Sequence, residues 1–158
     1  MNTWYEIVVK SKKAGEVKVV TEKYLMDALS FTEAEKRAYE ELAPYYTEMK
    51  VTKINPVKVS EIFFAENADL WFKCKVNFIT LVEKTGKEKK TPCYMYVNAN
   101  NPKEAEANLD EGMKGTLSDW NVEAITETKI IDVIKFNLEK ASNDILTSQH
   151  EIDSKQEE

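Results

Sequence analysis

Few residues in this chain could do chemistry, and most of them sit in the wrong company for it. His150 is the single histidine, and it lies in a polar stretch close to the C-terminus. A histidine-based triad needs its imidazole on a rigid scaffold beside a nucleophile, and this stretch offers no such scaffold. Cys74 and Cys93 are the two cysteines. With His150 they share no zinc-ligand spacing, so no metal site is expected. Cys74 keeps the phase of Phe72, Val76 and Phe78, which marks it as a core thiol. Gly112-Met113-Lys114-Gly115 is the nearest thing to a phosphate loop. It closes a helical pattern rather than opening one, so the positive end of the dipole is at the wrong side for phosphate. No cofactor is expected.

Carboxylates recur as Glu33 and Glu104 and as Glu61 and Asp132. A carboxylate pair could act as acid and base. The first pair, however, falls at helix-capping positions. The second alternates with Ile62 and Val133, which take the core phase and turn the acids outward. A non-enzymatic role follows as the expectation.

The aromatic residues and lysines form the better constellation. Trp71, Tyr94 and Tyr96 fall on strand-like stretches, and Lys84, Lys87, Lys89 and Lys90 gather at the turn between those stretches. Lys12 and Lys13 hold the corresponding place in an earlier hairpin. Bases stack on sheet aromatics, and lysines neutralise phosphates. These nine residues are the candidate single-strand nucleic-acid site. The alternative is that the aromatics pack across strands while the lysines keep hairpin tips soluble, leaving a protein-interaction adaptor that acts through a sheet face or edge. A homodimer is compatible with that second reading.

The elements that would carry these residues follow a plan that is repeated. Adding 71 to Glu33-Ala34-Glu35 gives Glu104-Ala105-Glu106, and adding it to Val51 and Ile54 gives Val122 and Ile125. In the first half, Trp4–Lys10 and Val17–Met26 read as strands around a lysine-bearing turn. Ser30 caps a helix whose stripe is Phe31, Ala34, Ala38, Leu42 and Tyr45, stopped near Pro44. Lys50–Phe64 is a long strand interrupted by Pro56. In the second half, Trp71–Val82 and Thr91–Asn98 flank Thr85-Gly86-Lys87. Asn101 caps a helix that opens on Pro102, and Val122–Ile134 is the last strand. The expected fold is therefore α+β: internally duplicated β-β-α-β units, antiparallel sheet and two helices on one face. Residues 1–66 form the first repeat, and residues 69–136 the second, sharing one core. Residues 137–158 form an acidic, weakly helical or disordered tail.

Composition agrees. The chain has 158 residues, 42% hydrophobic and 32% charged, with net charge -6. Residues 139–158 hold six acids against two lysines, or -4, so the body carries only -2. Such a tail suits a protein partner or the occupation of a basic surface. No signal peptide and no apolar run long enough for a membrane helix is present, so the cytoplasm is the expected compartment, with free thiols.

At Trp4-Tyr5-Glu6-Ile7, Asp27–Glu35, Val76–Leu81, Glu83–Pro92 and Glu111–Thr116 the sequence resembles the domain-of-unknown-function 4494 family of Bacteroidota and some of their phages. The resemblance spans roughly residues 4 to 135. It implies a small intracellular or phage protein and brings no catalytic residue with it.

Overall fold

The computed structural model describes residues 3–136 apart from 14 and 16. The expected acidic tail, with His150, lies outside the described residues. Among the described residues, eight strands and two α-helices form an α+β structure: β1 Thr3–Lys13, β2 Val19–Ala28, α1 Phe31–Leu42, β3 Tyr46–Val57, β4 Glu61–Phe63, β5 Leu70–Leu81, β6 Glu88–Ala99, α2 Pro102–Gly112, β7 Asp119–Glu127 and β8 Ile130–Ile134.

The strands make two four-stranded sheets, β3-β1-β2-β8 and β4-β6-β5-β7. Three strands of each sheet are consecutive and antiparallel, and the fourth is parallel and comes from the other half. This corrects the expectation of wholly antiparallel sheet with both helices on one face. Each helix lies on its own sheet. The long strand read over Lys50–Phe64 breaks after Val57 into β3 and β4. The one read over Val122–Ile134 breaks after Glu127 into β7 and β8. Those short second pieces cross over to the other sheet, where Ile62 and Val133 join the apolar layer of Leu25, Trp71 and Tyr96.

The crossing registers correspond. In one sheet Ile62 lies opposite Tyr96, and in the other Val133 lies opposite Leu25. Adding 71 converts Ile62 to Val133 and Leu25 to Tyr96. Both long edge pairings also carry a register shift, between Val8 and Val9 in β1 and between Lys75 and Val76 in β5.

Alternation along the strands sorts the core into layers. Tyr5, Ile7 and Val9 with Tyr24, Met26 and Ala28 face α1, where Ala34, Ala38 and Leu42 complete the cluster. Cys74 and Val76 with Met95 and Val97 face α2 through Leu109 and Met113. The residues of opposite phase, Leu25, Trp71, Tyr96, Ile130 and Val133, join across the two helix-free faces. The halves share this inner layer. Phe31 and Tyr45, expected on the buried stripe of α1, are exposed instead. Phe31 is the first helical residue and Tyr45 lies beyond the last, so neither is held over the sheet.

Both helices start where expected. The Ser30 hydroxyl accepts the Glu33 N–H at 3.2 Å, and the Asn101 side chain accepts the Glu104 N–H at 2.8 Å. The Glu104 carboxylate reaches the N–H of Asn100, one residue before the cap, at 2.9 Å. Gly112 is the last residue of α2 and is closely packed. A Cβ there would lie 2.6 Å from the ring of Phe63 on the crossing strand β4.

Candidate nucleic-acid interface

The nine predicted residues divide by burial. Trp71 is 3% exposed and Tyr96 2% exposed, both within the layer between the sheets. The Trp71 ring meets Phe64 edge-on at 5.3 Å. Its carbonyl accepts both the Thr128 N–H at 2.9 Å and the Thr128 hydroxyl at 2.8 Å. Burial pushes the Tyr96 phenol above its ordinary value, with Glu6 adding to the shift. These two rings are corrected from stacking platform to core. Crossing of β4 and β8 covers the part of the helix-free face on which they stand.

Tyr94 remains half-exposed, one residue pair further toward the hairpin tip, with the Lys73 ammonium 4.7 Å above its ring. Lys84 and Lys87 are exposed at the turn, where the Val82 N–H bonds the Lys87 carbonyl at 2.8 Å. Lys89 and Lys90 are exposed on β6 itself, which begins three residues earlier than the expected Thr91. Lys12 lies in the other sheet, 3.6 Å from Glu48, and Lys13 ends β1. The β5–β6 lysines and Tyr94 therefore belong to one hairpin, whereas Lys12 and Lys13 belong to another.

The helix-free face of the second sheet can be read row by row from its pairing. Lys75 lies between Tyr94 and Ala124, Asn77 between Pro92 and Asn121, and Ile79 between Lys90 and Asp119. A groove of about 530 Å³ runs over these rows, lined by Lys75, Asn77, Lys90, Pro92, Asn121 and Glu123. Lys75 pairs with the Glu123 carboxylate at 3.0 Å. The Asn77 amide donates to Glu123 at 3.1 Å and to the Asn121 oxygen at 3.3 Å. The hydrogen bond to Lys75 holds Glu123 below the usual carboxylate range, and the same bond raises Lys75. Both groups are charged at neutral pH. Sequence reasoning passed over Lys73, Lys75, Asn77, Asn121 and Glu123. Their signal was available: if Phe72, Cys74 and Val76 face the core, then Lys73, Lys75 and Asn77 face the other way.

The first sheet has a smaller cleft, about 280 Å³, lined among others by Lys10, Ser11, Lys12 and Met49. The buried Ser11 hydroxyl has no hydrogen-bond partner there. Cys74 is buried, and its thiol is pushed up to about 11 by that burial, so it is not a nucleophile at neutral pH. Among the described residues no group of three or more His, Cys, Asp or Glu side chains is placed to hold a metal ion. No helix among them is long and apolar enough to cross a membrane.

The family model described as a domain of unknown function (DUF4494) matches residues 3–136. No curated protein and no solved structure matches the chain.

Proposed function

We propose a binding role without catalysis for this chain, which belongs to the DUF4494 family of proteins of unknown function. The ligand is single-stranded nucleic acid, held on the β5–β6 hairpin and the open part of the face beneath it. One observation carries this reading. Residues 70–99 hold six lysines against two glutamates, a net +4 in a chain whose total is -6. The positive charge is therefore concentrated on one hairpin beside a half-exposed aromatic ring, Tyr94. Lysines that neutralise phosphates release counterions, and a tyrosine face stacks with any base. Lys84, Lys87, Lys89 and Lys90 supply the phosphate contacts, and Tyr94 the stacking.

The test is fluorescence anisotropy with single-stranded DNA, single-stranded RNA and duplex across a salt series. Binding of single strands that falls steeply with salt supports the reading. Joint replacement of Lys87, Lys89 and Lys90 by Gln then flattens the salt slope by up to about two, at ~0.7 per phosphate contact. Absence of binding at low salt overturns it.

The second reading is an adaptor or small assembly protein. It is favoured by β3, a twelve-residue edge strand whose outer side pairs with no described strand. Edge-to-edge pairing there would give a homodimer. Lys50, Lys53 and Pro56 on that edge oppose such pairing, which is why the nucleic-acid reading is preferred. A concentration-dependent dimer in light scattering, lost on replacing Thr52 with Pro, would reverse the order. We also infer that the two halves are copies of one ancestral unit, that the protein works in the cytoplasm of a Bacteroidota cell or its phage, and that the acidic tail meets a protein partner.

A further inference from the structure

We infer that the groove over Asn77 and Asn121 is a seat for one nucleobase of the bound strand, and that it selects bases bearing an exocyclic amino group over thymine and uracil. The inference rests on the hairpin reading above and adds to it a specific base contact.

The hydrogen-bond network fixes which atoms face the groove. Glu123 is ionised and can only accept, so the Asn77 group that points at it is the amide nitrogen. The same nitrogen donates to Asn121, so Asn121 presents its oxygen there. Two atoms are left over: the Asn77 oxygen, an acceptor, and the Asn121 nitrogen, a donor. Asn77 is 7% exposed, and among the described residues the one buried side-chain polar atom with no partner is the Ser11 hydroxyl. The unbonded Asn77 oxygen is therefore reached from the groove. Asn121 is exposed on β7 and free to turn its nitrogen toward a ligand.

The seat thus offers the Asn77 oxygen and the Glu123 carboxylate as acceptors and the Asn121 nitrogen as a donor. Acceptors in excess of donors favour an edge that leads with an amino group. Adenine, cytosine and guanine each carry an exocyclic amino donor, beside an unprotonated ring nitrogen in the first two and beside a ring N–H in guanine. Thymine and uracil carry one ring N–H between two carbonyls, which would face carboxylate and amide oxygens. Asparagine on adenine and carboxylate on the cytosine amino group are recurrent pairings for this reason. Pro92, on the row of Asn77, and Tyr94, one row on, provide flat apolar surface for the base plane. Lys75 and Lys90 flank the seat, where the phosphates on either side of a seated base would fall.

The experiment measures anisotropy of the full chain with labelled d(A)10, d(C)10 and d(T)10, with unlabelled dAMP as competitor, for the wild type, Asn121→Ala and the Lys87/Lys89/Lys90→Gln triple variant. Asn121 is exposed, so its replacement leaves the core intact, and unfolding of each variant is followed in parallel. The expected result is d(A)10 and d(C)10 bound roughly tenfold or more tightly than d(T)10, the discrimination of one good base contact. Asn121→Ala should reduce that ratio toward one with the salt slope unchanged. The triple variant should flatten the slope and keep the ratio. Equal binding of all three oligomers, or an unchanged ratio in Asn121→Ala, overturns the seat and leaves the hairpin reading standing. dAMP binding as tightly as d(A)10 overturns a strand as the occupant. No oligomer bound at low salt overturns both.

Discussion

Two junctions hold the crossing strands, and they reach the same geometry by different chemistry. Asp27 and Asn98 are buried at the ends of β2 and β6, 71 residues apart. The Asp27 carboxylate accepts the N–H of Phe136, just past β8, at 2.6 Å. The Asn98 side chain accepts the N–H of Ala65, just past β4, at 3.3 Å. Each backbone carbonyl is met by a helix side chain: Arg37 on α1 bonds the Asp27 carbonyl, and Asn108 on α2 bonds that of Asn98 at 2.9 Å. The first junction is a buried ion pair, with Arg37 also 3.5 Å from the Asp27 carboxylate and 5.0 Å above the Phe136 ring. The second is neutral, and Asn98 spends its remaining donor on the carbonyls of Ala68 and Leu70, at 3.2 and 2.9 Å. A charge pair tolerates loss of one partner far worse than an amide pair does, because the survivor is left buried and charged. The two halves should therefore differ in how sharply they fail.

The largest effect tests whether the halves are separable at all. Each sheet takes its fourth strand from the other half, so separate chains of residues 1–66 and 69–158 should lack a cooperative unfolding transition. Mixing them should restore one. A normal transition for either fragment alone would show that the crossing strands are ornamental.

Next come the junctions. Asp27→Ala should cost about 3–5 kcal/mol, since it strands a buried guanidinium. Asn98→Ala should cost less, about 1–3 kcal/mol, the penalty of unsatisfied neutral groups. Equal midpoint losses in denaturant would remove charge as the distinction. Trp71→Ala should cost about 3–5 kcal/mol as a buried ring. Trp4 lies 67 residues earlier, at the corresponding place, but is only partly buried. Its replacement should be milder, and the ranking is read from the same denaturation curves.

Helix caps give a smaller contrast. Ser30→Ala and Asn101→Ala should each cost about 1 kcal/mol. The shorter bond at Asn101 predicts the larger loss of the two.

The smallest contrast is alkaline. In the first half the Tyr24 and Tyr46 hydroxyls bond each other, and Tyr46 donates to Glu22 at 3.0 Å. Burial, first, raises both phenols above their ordinary value of 10.0, and for Tyr46 the bonds to Tyr24 and Glu22 add to it. The folded state thus holds these protons more tightly than the unfolded chain. The stability they contribute is complete below pH ~10 and is lost as pH rises above it. The places 71 residues on are Met95 and Leu117, which do not titrate. Tyr46→Phe should flatten the fall in stability between pH 9 and 11, and an unchanged slope would locate the alkaline sensitivity elsewhere.

Local signals alone determined the two hairpins and the two helix starts, but not the breaks that separate β4 from β3 and β8 from β7. Alternation gave the hairpins, Ser30 and Asn101 gave the helix starts, and phase put Cys74 in the core, because each of these depends on neighbours within a few residues. The same phase held Lys73, Lys75 and Asn77 on the open face. Tertiary structure decided the rest. Nothing near Trp71 or Tyr96 in the chain announces that Ile130, Val133 and Ile62 will cover them. That burial depends on β4 and β8 leaving their own sheets, and on Asp27 and Asn98 catching the backbone just past them. It was likewise packing that brought the Phe63 ring against Gly112, a residue the sequence explained as a helix stop. A pattern of periods two and 3.6 specifies which side of an element is apolar. It does not specify which of two equivalent apolar surfaces that side will meet, and here the surface chosen belongs to the other half.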